Sequence, residues 1–164
     1  FPEWTVLLPG GITTSNTDVM AVCRSAKGLC VIGVEAKVLE PFGPTVGEKR
    51  AKESAGQGER LTFLHGLLGT EQFADGIRYQ LLHRTASALI TAKEFHAKAA
   101  VMLIHAFESP KSSQADFSAF VAAMGGTELA PQVFRVKRFT APALYLVWCD
   151  GDARFRNVEL ASVL

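Results

Sequence analysis

The sequence predicts a single α/β domain with a mixed central sheet, opened by a β-hairpin and flanked by helices. Two Val- and Ile-rich runs separated by a short turn predict the hairpin. Leucines at helical spacing predict the middle helices, and two later apolar runs on either side of a further helix complete the sheet. At 164 residues, 48% hydrophobic and 20% charged, the chain can bury one real core and is too apolar for disorder. No run approaches the roughly 18 apolar residues that cross a bilayer, and there is no signal-peptide pattern, so no membrane partner and a cytoplasmic setting are expected. The first residue is Phe1 rather than Met, which implies a further N-terminal segment. A formal charge of +1 argues against a broad nonspecific nucleic-acid footprint but leaves room for a local basic patch. Cys23, Cys30 and Cys149 each lie in apolar stretches and read as buried, reduced thiols.

The elements follow in order. Trp4 to Leu8 is a short strand stopped by Pro9-Gly10-Gly11. Thr17 to Cys23 and Leu29 to Val38 are two strands joined around Ser25-Ala26-Lys27-Gly28, and the run from Leu29 to Val34 is apolar on both faces, as in a central strand covered on both sides. The polar stretch from Pro41 to Gly58 reads as a mobile loop. Leu61, Leu64, Leu67 and Leu68 mark a helix that Gly69 stops. Asp75 is positioned to cap a long helix from about Gly76 to His96, with Ile77, Leu81, Ala88 and Leu89 on one face. Ala99 to Phe107 is a buried strand. Ser113 and Asp116 have the spacing of a capping box for a helix that ends at Gly125-Gly126. Val133 to Phe139 alternates Phe134 and Val136 with Arg135 and Lys137 like a charged edge strand, and Ala143 to Cys149 is a last apolar strand.

The hairpin carries the chemistry. Counting back from Arg24 opposite Leu29 sets Asp18 opposite Glu35, where facing side chains stand about 4.5–5.5 Å apart at Cβ. Lys37 points to the same face as Glu35 because a strand repeats every two residues. Facing carboxylates repel unless something compensates, and Mg2+ held by one or two carboxylates would do so. Such a metal activates a bound water and neutralises charge on a phosphoryl group, and Lys37 is placed to assist. The plain alternative makes Glu35 and Lys37 a solvated strand end and Asp18 a turn residue.

Asp18 followed by Glu35-Ala36-Lys37 on the next strand, then helices and another strand, resembles the PD-(D/E)XK nuclease superfamily, the restriction-endonuclease-like fold. Glu35-Ala36-Lys37 is the one acid-x-Lys triplet in the chain. The resemblance spans about Asp18 to Phe107 and implies a metal site of Asp18, Glu35 and the Ala36 carbonyl, with Mg2+ or Mn2+ as cofactor and Lys37 catalytic. It also implies a polar residue from the following helix, for which Gln80 is the candidate. An acid from an earlier helix, used by many members, would lie in the preceding segment. Thr17 stands where a proline often precedes the first acid. Stretches such as EPFGPTVGE and IRYQLLHRTASA are similar to an uncharacterised bacterial family, which supplies no substrate.

Lys49, Arg50, Lys52 and Arg60 read as the charges of a solvated loop, yet they flank the proposed site and could meet phosphates, and Lys49, Arg50 and Lys52, with Arg78, are the expected nucleic-acid contacts. His83 and Arg84 read as a packed or solvated helix face, and His105 as a strand-end histidine. No Gly-x-Ser-x-Gly, His-Glu-x-x-His, Cys-x-x-Cys or Walker loop occurs. The expected function is a Mg2+-dependent nuclease-like phosphodiesterase acting on DNA or RNA. A noncatalytic domain of the same fold that binds nucleic acid or protein is the alternative, and a small-molecule enzyme is a third possibility.

Overall fold

The computed structural model describes residues 1–11, 14–52, 54–152 and 154. The chain is α/β, and its described residues form a seven-stranded mixed sheet and four helices. In chain order the elements are β1 (Pro2–Val6), β2 (Ser15–Ser25), β3 (Gly28–Val38), α1 (Val46–Ala51), α2 (Ala55–Leu68), α3 (Tyr79–Glu94), β4 (Ala99–Phe107), α4 (Lys111–Ala123), β5 (Gly126–Ala130), β6 (Val133–Thr140) and β7 (Ala143–Asp150). The strands lie in the order β1-β2-β3-β4-β7-β6-β5. The β1-β2-β3 meander is antiparallel. β3, β4 and β7 are parallel, which requires crossovers, and helices supply them.

The hairpin register is the expected one. Arg24 pairs with Leu29 and Val19 with Val34, fixed by the two-residue turn Ala26-Lys27. Along β3 the residues alternate: Val31, Gly33, Glu35 and Lys37 are buried, while Cys30, Ile32, Val34 and Ala36 are half-buried. The buried face carries the helices. A Cβ at Gly33 would touch Ala88 of α3, and Phe117 of α4 meets Trp148, which pairs with Ile104 beside Glu35. No described helix lies over the other face, so β3 is central in the sheet but covered on one side. Its apolar outer residues make a strand buried on both sides and one half-open indistinguishable by sequence pattern. Cys23, Cys30 and Cys149 fall on that open face, so Cys23 and Cys149 are exposed and Cys30 half-buried rather than all three buried. All are free thiols.

Several boundaries differ from expectation because side chains have distant partners. The stretch after β3 is ordered into α1 by a capping box. Thr45 Oγ1 accepts from the Glu48 backbone N–H at 3.2 Å, and Glu48 Oε2 accepts from the Thr45 N–H at 2.7 Å. α2 therefore follows directly and ends, as expected, on Gly69 in the left-handed region (φ 68°). Asp75 does not cap α3, because it pairs with Arg50; α3 begins at Tyr79 after Arg78. Ser113 and Asp116 form no capping box. α4 starts two residues before Ser113, which is buried within it, while Asp116 pairs with Arg78. β6 is not the edge: β5 pairs with its outer side. Among the described residues no helix is long and apolar enough to cross a membrane.

Candidate functional site

Glu35 is the centre of the site and is 3% exposed; Lys37 beside it is 4% exposed. A charge so deep is tolerated when it is paired and hydrogen-bonded. The partners come from two elements. From β3 itself, Lys37 Nζ stands 3.1 Å from Glu35 Oε1. From α3, Gln80 Nε2 donates to Oε1 at 2.5 Å and Arg84 Nε donates to Oε2. Gln80 and Arg84 are one helical turn apart, so both point at the same strand. Lys37 Nζ also donates to Glu40 Oε1 at 3.3 Å and lies over the Phe42 ring. Gln80, the candidate of the resemblance, thus reaches Glu35, while Arg84 lies on the packed rather than the solvated version of its helix face and has Glu35 as its partner. The spacing of four from Gln80 was the available signal for Arg84.

Behind Arg84 the network continues. Its Nη1 donates to Ser15 Oγ at 3.1 Å, and Ser15 Oγ lies 2.9 Å from His83 Nδ1. Ser15 is buried at the start of β2. Burial, and then the positive charges of Arg84, Arg60, Lys49 and Lys37, push the His83 pKa down to about 3. The imidazole is neutral at physiological pH.

Asp18 does not meet Glu35 as a facing, repelling pair. The β2–β3 ladder stops at Val19–Val34, and the Asp18 side chain takes the next donor, its Oδ2 accepting from the Ala36 N–H at 2.7 Å. The compensation for Glu35 is Lys37 and Arg84. In an antiparallel pair the N–H and C=O of one residue point the same way, so the Ala36 carbonyl faces the same gap beside Asp18.

The Asp18 and Glu35 carboxylates and the Ala36 carbonyl are hard oxygen donors, the type Mg2+ takes alongside waters. Each carboxylate oxygen has about two acceptor directions. Glu35 Oε1 fills both with Lys37 and Gln80, and Oε2 keeps one beside Arg84. Among the described residues no group of three or more His, Cys, Asp or Glu side chains is placed to hold a metal ion. The two-carboxylate set is smaller than that and fits the group only through Asp18 and the free direction on Glu35.

The flanking cations divide, and Arg60 is no solvated-loop charge, because α2 carries it into the interior, where it donates to the Pro9 and Leu8 carbonyls. Arg50 is held by Asp75 and by the Phe73 carbonyl at 2.8 Å, and Arg78 by Asp116 at 2.8 Å and the Gly43 carbonyl at 3.2 Å. Both brace the fold. Lys52 is exposed at the end of α1, and Lys49 lies over the Tyr79 ring at the mouth of a cavity.

No curated protein and no solved structure matches the chain. A family model described as a domain of unknown function (DUF6946) matches residues 1–153, and the chain belongs to that family.

Proposed function

We propose that this chain is a Mg2+-dependent phosphodiesterase of the PD-(D/E)XK nuclease type, acting on DNA or RNA. The observation that carries the reading is the convergence of Lys37 and Gln80 on Glu35 Oε1, with Asp18 bound to the next backbone N–H. Residues from three elements that the resemblance names meet at one buried strand end. The order of three antiparallel strands, helices and a parallel fourth strand agrees with a restriction-endonuclease-like core.

Asp18, Glu35 and the Ala36 carbonyl would hold the metal, which supplies an activated water and neutralises charge on the phosphoryl group. Lys37 orients the attacking water and stabilises developing negative charge. Gln80 fixes the carboxylate that Lys37 touches, and Arg84 with Ser15 fixes its other oxygen. Rigid placement of this kind is what positions reacting groups productively.

A second reading, a noncatalytic domain of the same fold that binds nucleic acid or a protein partner, is favoured by two contacts. Arg84 and Lys37 together neutralise Glu35 without any metal. Incubating the purified chain with end-labelled single- and double-stranded DNA and RNA, with Mg2+, Mn2+ or EDTA, separates the two. Divalent-dependent cleavage that Lys37→Ala removes supports the enzyme; binding without cleavage in every metal supports the second reading.

A further inference from the structure

A cavity of about 520 Å3 opens between the Pro9–Gly11 turn, the start of α2 and the start of α3. That is within the usual range for small-molecule sites and far larger than a lone oxyanion needs. Its described lining contains no Asp or Glu and includes Lys49, Ser54, Gln57, Arg60, Tyr79 and His83.

The cations there are built in. Arg60 is 7% exposed, and its guanidinium is anchored by the Pro9 carbonyl at 3.0 Å and the Leu8 carbonyl at 3.3 Å. Lys49 Nζ stands over the Tyr79 ring, 5.2 Å from its centroid, and makes no ion pair among the described residues. The 14-residue α2 presents its first turn to the same space. Its N-cap Ser54 makes no side-chain cap hydrogen bond, and among the described residues the first turn carries no acid to meet the positive end of the helix dipole.

The wall is set by glycines in close approach: a Cβ at Gly10 (φ 82°) would lie 2.0 Å from the Gly56 carbonyl oxygen, so the turn packs directly on α2. His83 also lines the space and is held neutral, first by burial and then by Arg84, Arg60 and Lys49, so it adds no further charge there. Ser15 Oγ accepts from Arg84 and lies 2.9 Å from His83 Nδ1, so the neutral ring lining the cavity is tied to Arg84 through Ser15.

We propose that this cavity binds a phosphate monoester of nucleotide size, with the phosphate held by Lys49, Arg60 and the first turn of α2. The remaining volume takes the group that carries the phosphate. The ligand is a free nucleotide or the phosphorylated end of a nucleic-acid strand, which present the same chemistry. The site adjoins Glu35 through Ser15 and Arg84, so it extends the phosphodiesterase reading, but binding here requires neither a metal nor hydrolysis.

The test is NMR titration of the 15N,13C-labelled chain in EDTA with inorganic phosphate, a nucleoside 5′-monophosphate and the matching nucleoside. The expected result is saturable shifts at Lys49, Gln57 and His83 with phosphate and the monophosphate, tighter for the latter, and none with the nucleoside. Lys49→Ala should weaken monophosphate binding about tenfold, as losing a charge-assisted contact does, while Lys27→Ala on the distant hairpin turn changes nothing. A short oligonucleotide with a 5′-phosphate, compared with its 5′-hydroxyl form, distinguishes the sources. Tighter binding than the mononucleotide, lost with the phosphate, assigns a strand end; binding of the mononucleotide alone assigns a free nucleotide. No shifts at these residues, equal binding of the nucleoside, or unchanged affinity in Lys49→Ala overturns the proposal. Absence of cleavage with monophosphate binding retained would overturn the phosphodiesterase reading and leave this one standing.

Discussion

Arg84 and Glu35 form a buried ion pair across the α3–β3 interface, with Arg84 Nε on Oε2 and its Nη1 on Ser15. Gln80 and Lys37 take the other oxygen. The carboxylate at the centre of the site is therefore compensated from helix and strand together, before any ligand arrives. This changes the sign of one stability argument. If Asp18 and Glu35 faced each other uncompensated, removing a charge would relieve repulsion; in the observed arrangement it strands two cations.

Glu35→Gln should accordingly destabilise the metal-free domain. Removing one partner of a buried pair costs about 3–5 kcal/mol, because the charge left behind is neither solvated nor paired. Urea denaturation of wild type, Glu35→Gln, Arg84→Gln and the double variant measures this. The double variant should lose clearly less than the two single losses combined, since the residues act on one contact. Strict additivity would mean that Arg84 and Glu35 are not coupled.

How far the site was legible follows from where its signals lie. The hairpin register could be read because a two-residue turn fixes it, and every strand pair from Ser25–Gly28 to Val19–Val34 follows from that turn. Glu35 and Lys37 could be read because the strand period aims them at one face, and Gln80 only through the resemblance, which implies a polar residue on the following helix. The end of the ladder could not: Asp18 turns to the Ala36 N–H, and no spacing rule announces where backbone pairing gives way to a side chain. Asp75, Ser113 and Asp116 misled for a related reason. Each has a sequence-local role available, yet Asp75 and Asp116 are taken by Arg50 and Arg78 from distant segments, and Ser113 is enclosed within α4. α1 was signalled by Thr45-x-x-Glu48, but the flanking glycines and prolines outweighed a capping box in a helix of six residues. β5 is short and mostly exposed, so it carries no alternation to read.

Under the phosphodiesterase reading, Lys37→Ala and Glu35→Ala should each reduce Mg2+-dependent cleavage by about 10²-fold or more, the usual loss on removing a transition-state or metal contact. Lys37→Ala is the cleaner test, provided circular dichroism shows that it folds. Cleavage at wild-type rates by both folded variants would remove the site from the reaction.

Lys49, Lys52 and Arg50 should separate in a salt titration of nucleic-acid binding. Lys49→Glu and Lys52→Glu should weaken binding and flatten its salt dependence by about one unit of slope each, because fewer counterions are released. Arg50→Ala should leave the slope nearly unchanged, since its guanidinium is committed to Asp75 and Phe73, and should lower the melting temperature instead. Equal slopes in wild type and Lys49→Glu would take Lys49 out of the contact surface.

His83 should make the fold acid-sensitive. Its pKa is about 3 in the folded chain and ordinarily 6.5, so the unfolded chain binds the extra proton between those values. Stability attributable to the neutral ring is fully present above pH 6.5 and is lost as pH falls towards 3, at no more than about 1.4 kcal/mol per pH unit. His65 adds the same sign, its pKa lowered first by burial and then by Arg50. His83→Gln should therefore flatten, without abolishing, the decline in unfolding free energy from pH 6.5 to 4.5. Identical pH profiles for wild type and variant would show that His83 titrates normally in the fold.

Asp18 offers the most direct test of metal binding, because its two oxygens have different roles. Oδ2 accepts from the Ala36 N–H, and Asp18 is half-buried at the end of the ladder. An Asn side chain keeps an acceptor for that N–H while removing the charge that a divalent cation requires. Asp18→Asn should thus melt within a few degrees of wild type in EDTA, unlike Glu35→Gln. Adding Mn2+ should then separate the two proteins. A ligand that binds only the folded state stabilises it by mass action, by about 2.7 kcal/mol at a hundredfold excess over Kd. Wild type should gain melting temperature in proportion to the logarithm of metal concentration, and Asp18→Asn should gain little. Arg84→Gln, though less stable to begin with, should gain more than wild type, because losing the guanidinium frees acceptor capacity on Glu35 and removes a competing positive charge. The ranking Arg84→Gln, wild type, Asp18→Asn in metal-induced gain is specific to a cation seated between Asp18 and Glu35. Equal shifts in all three would place any bound Mn2+ elsewhere on the protein.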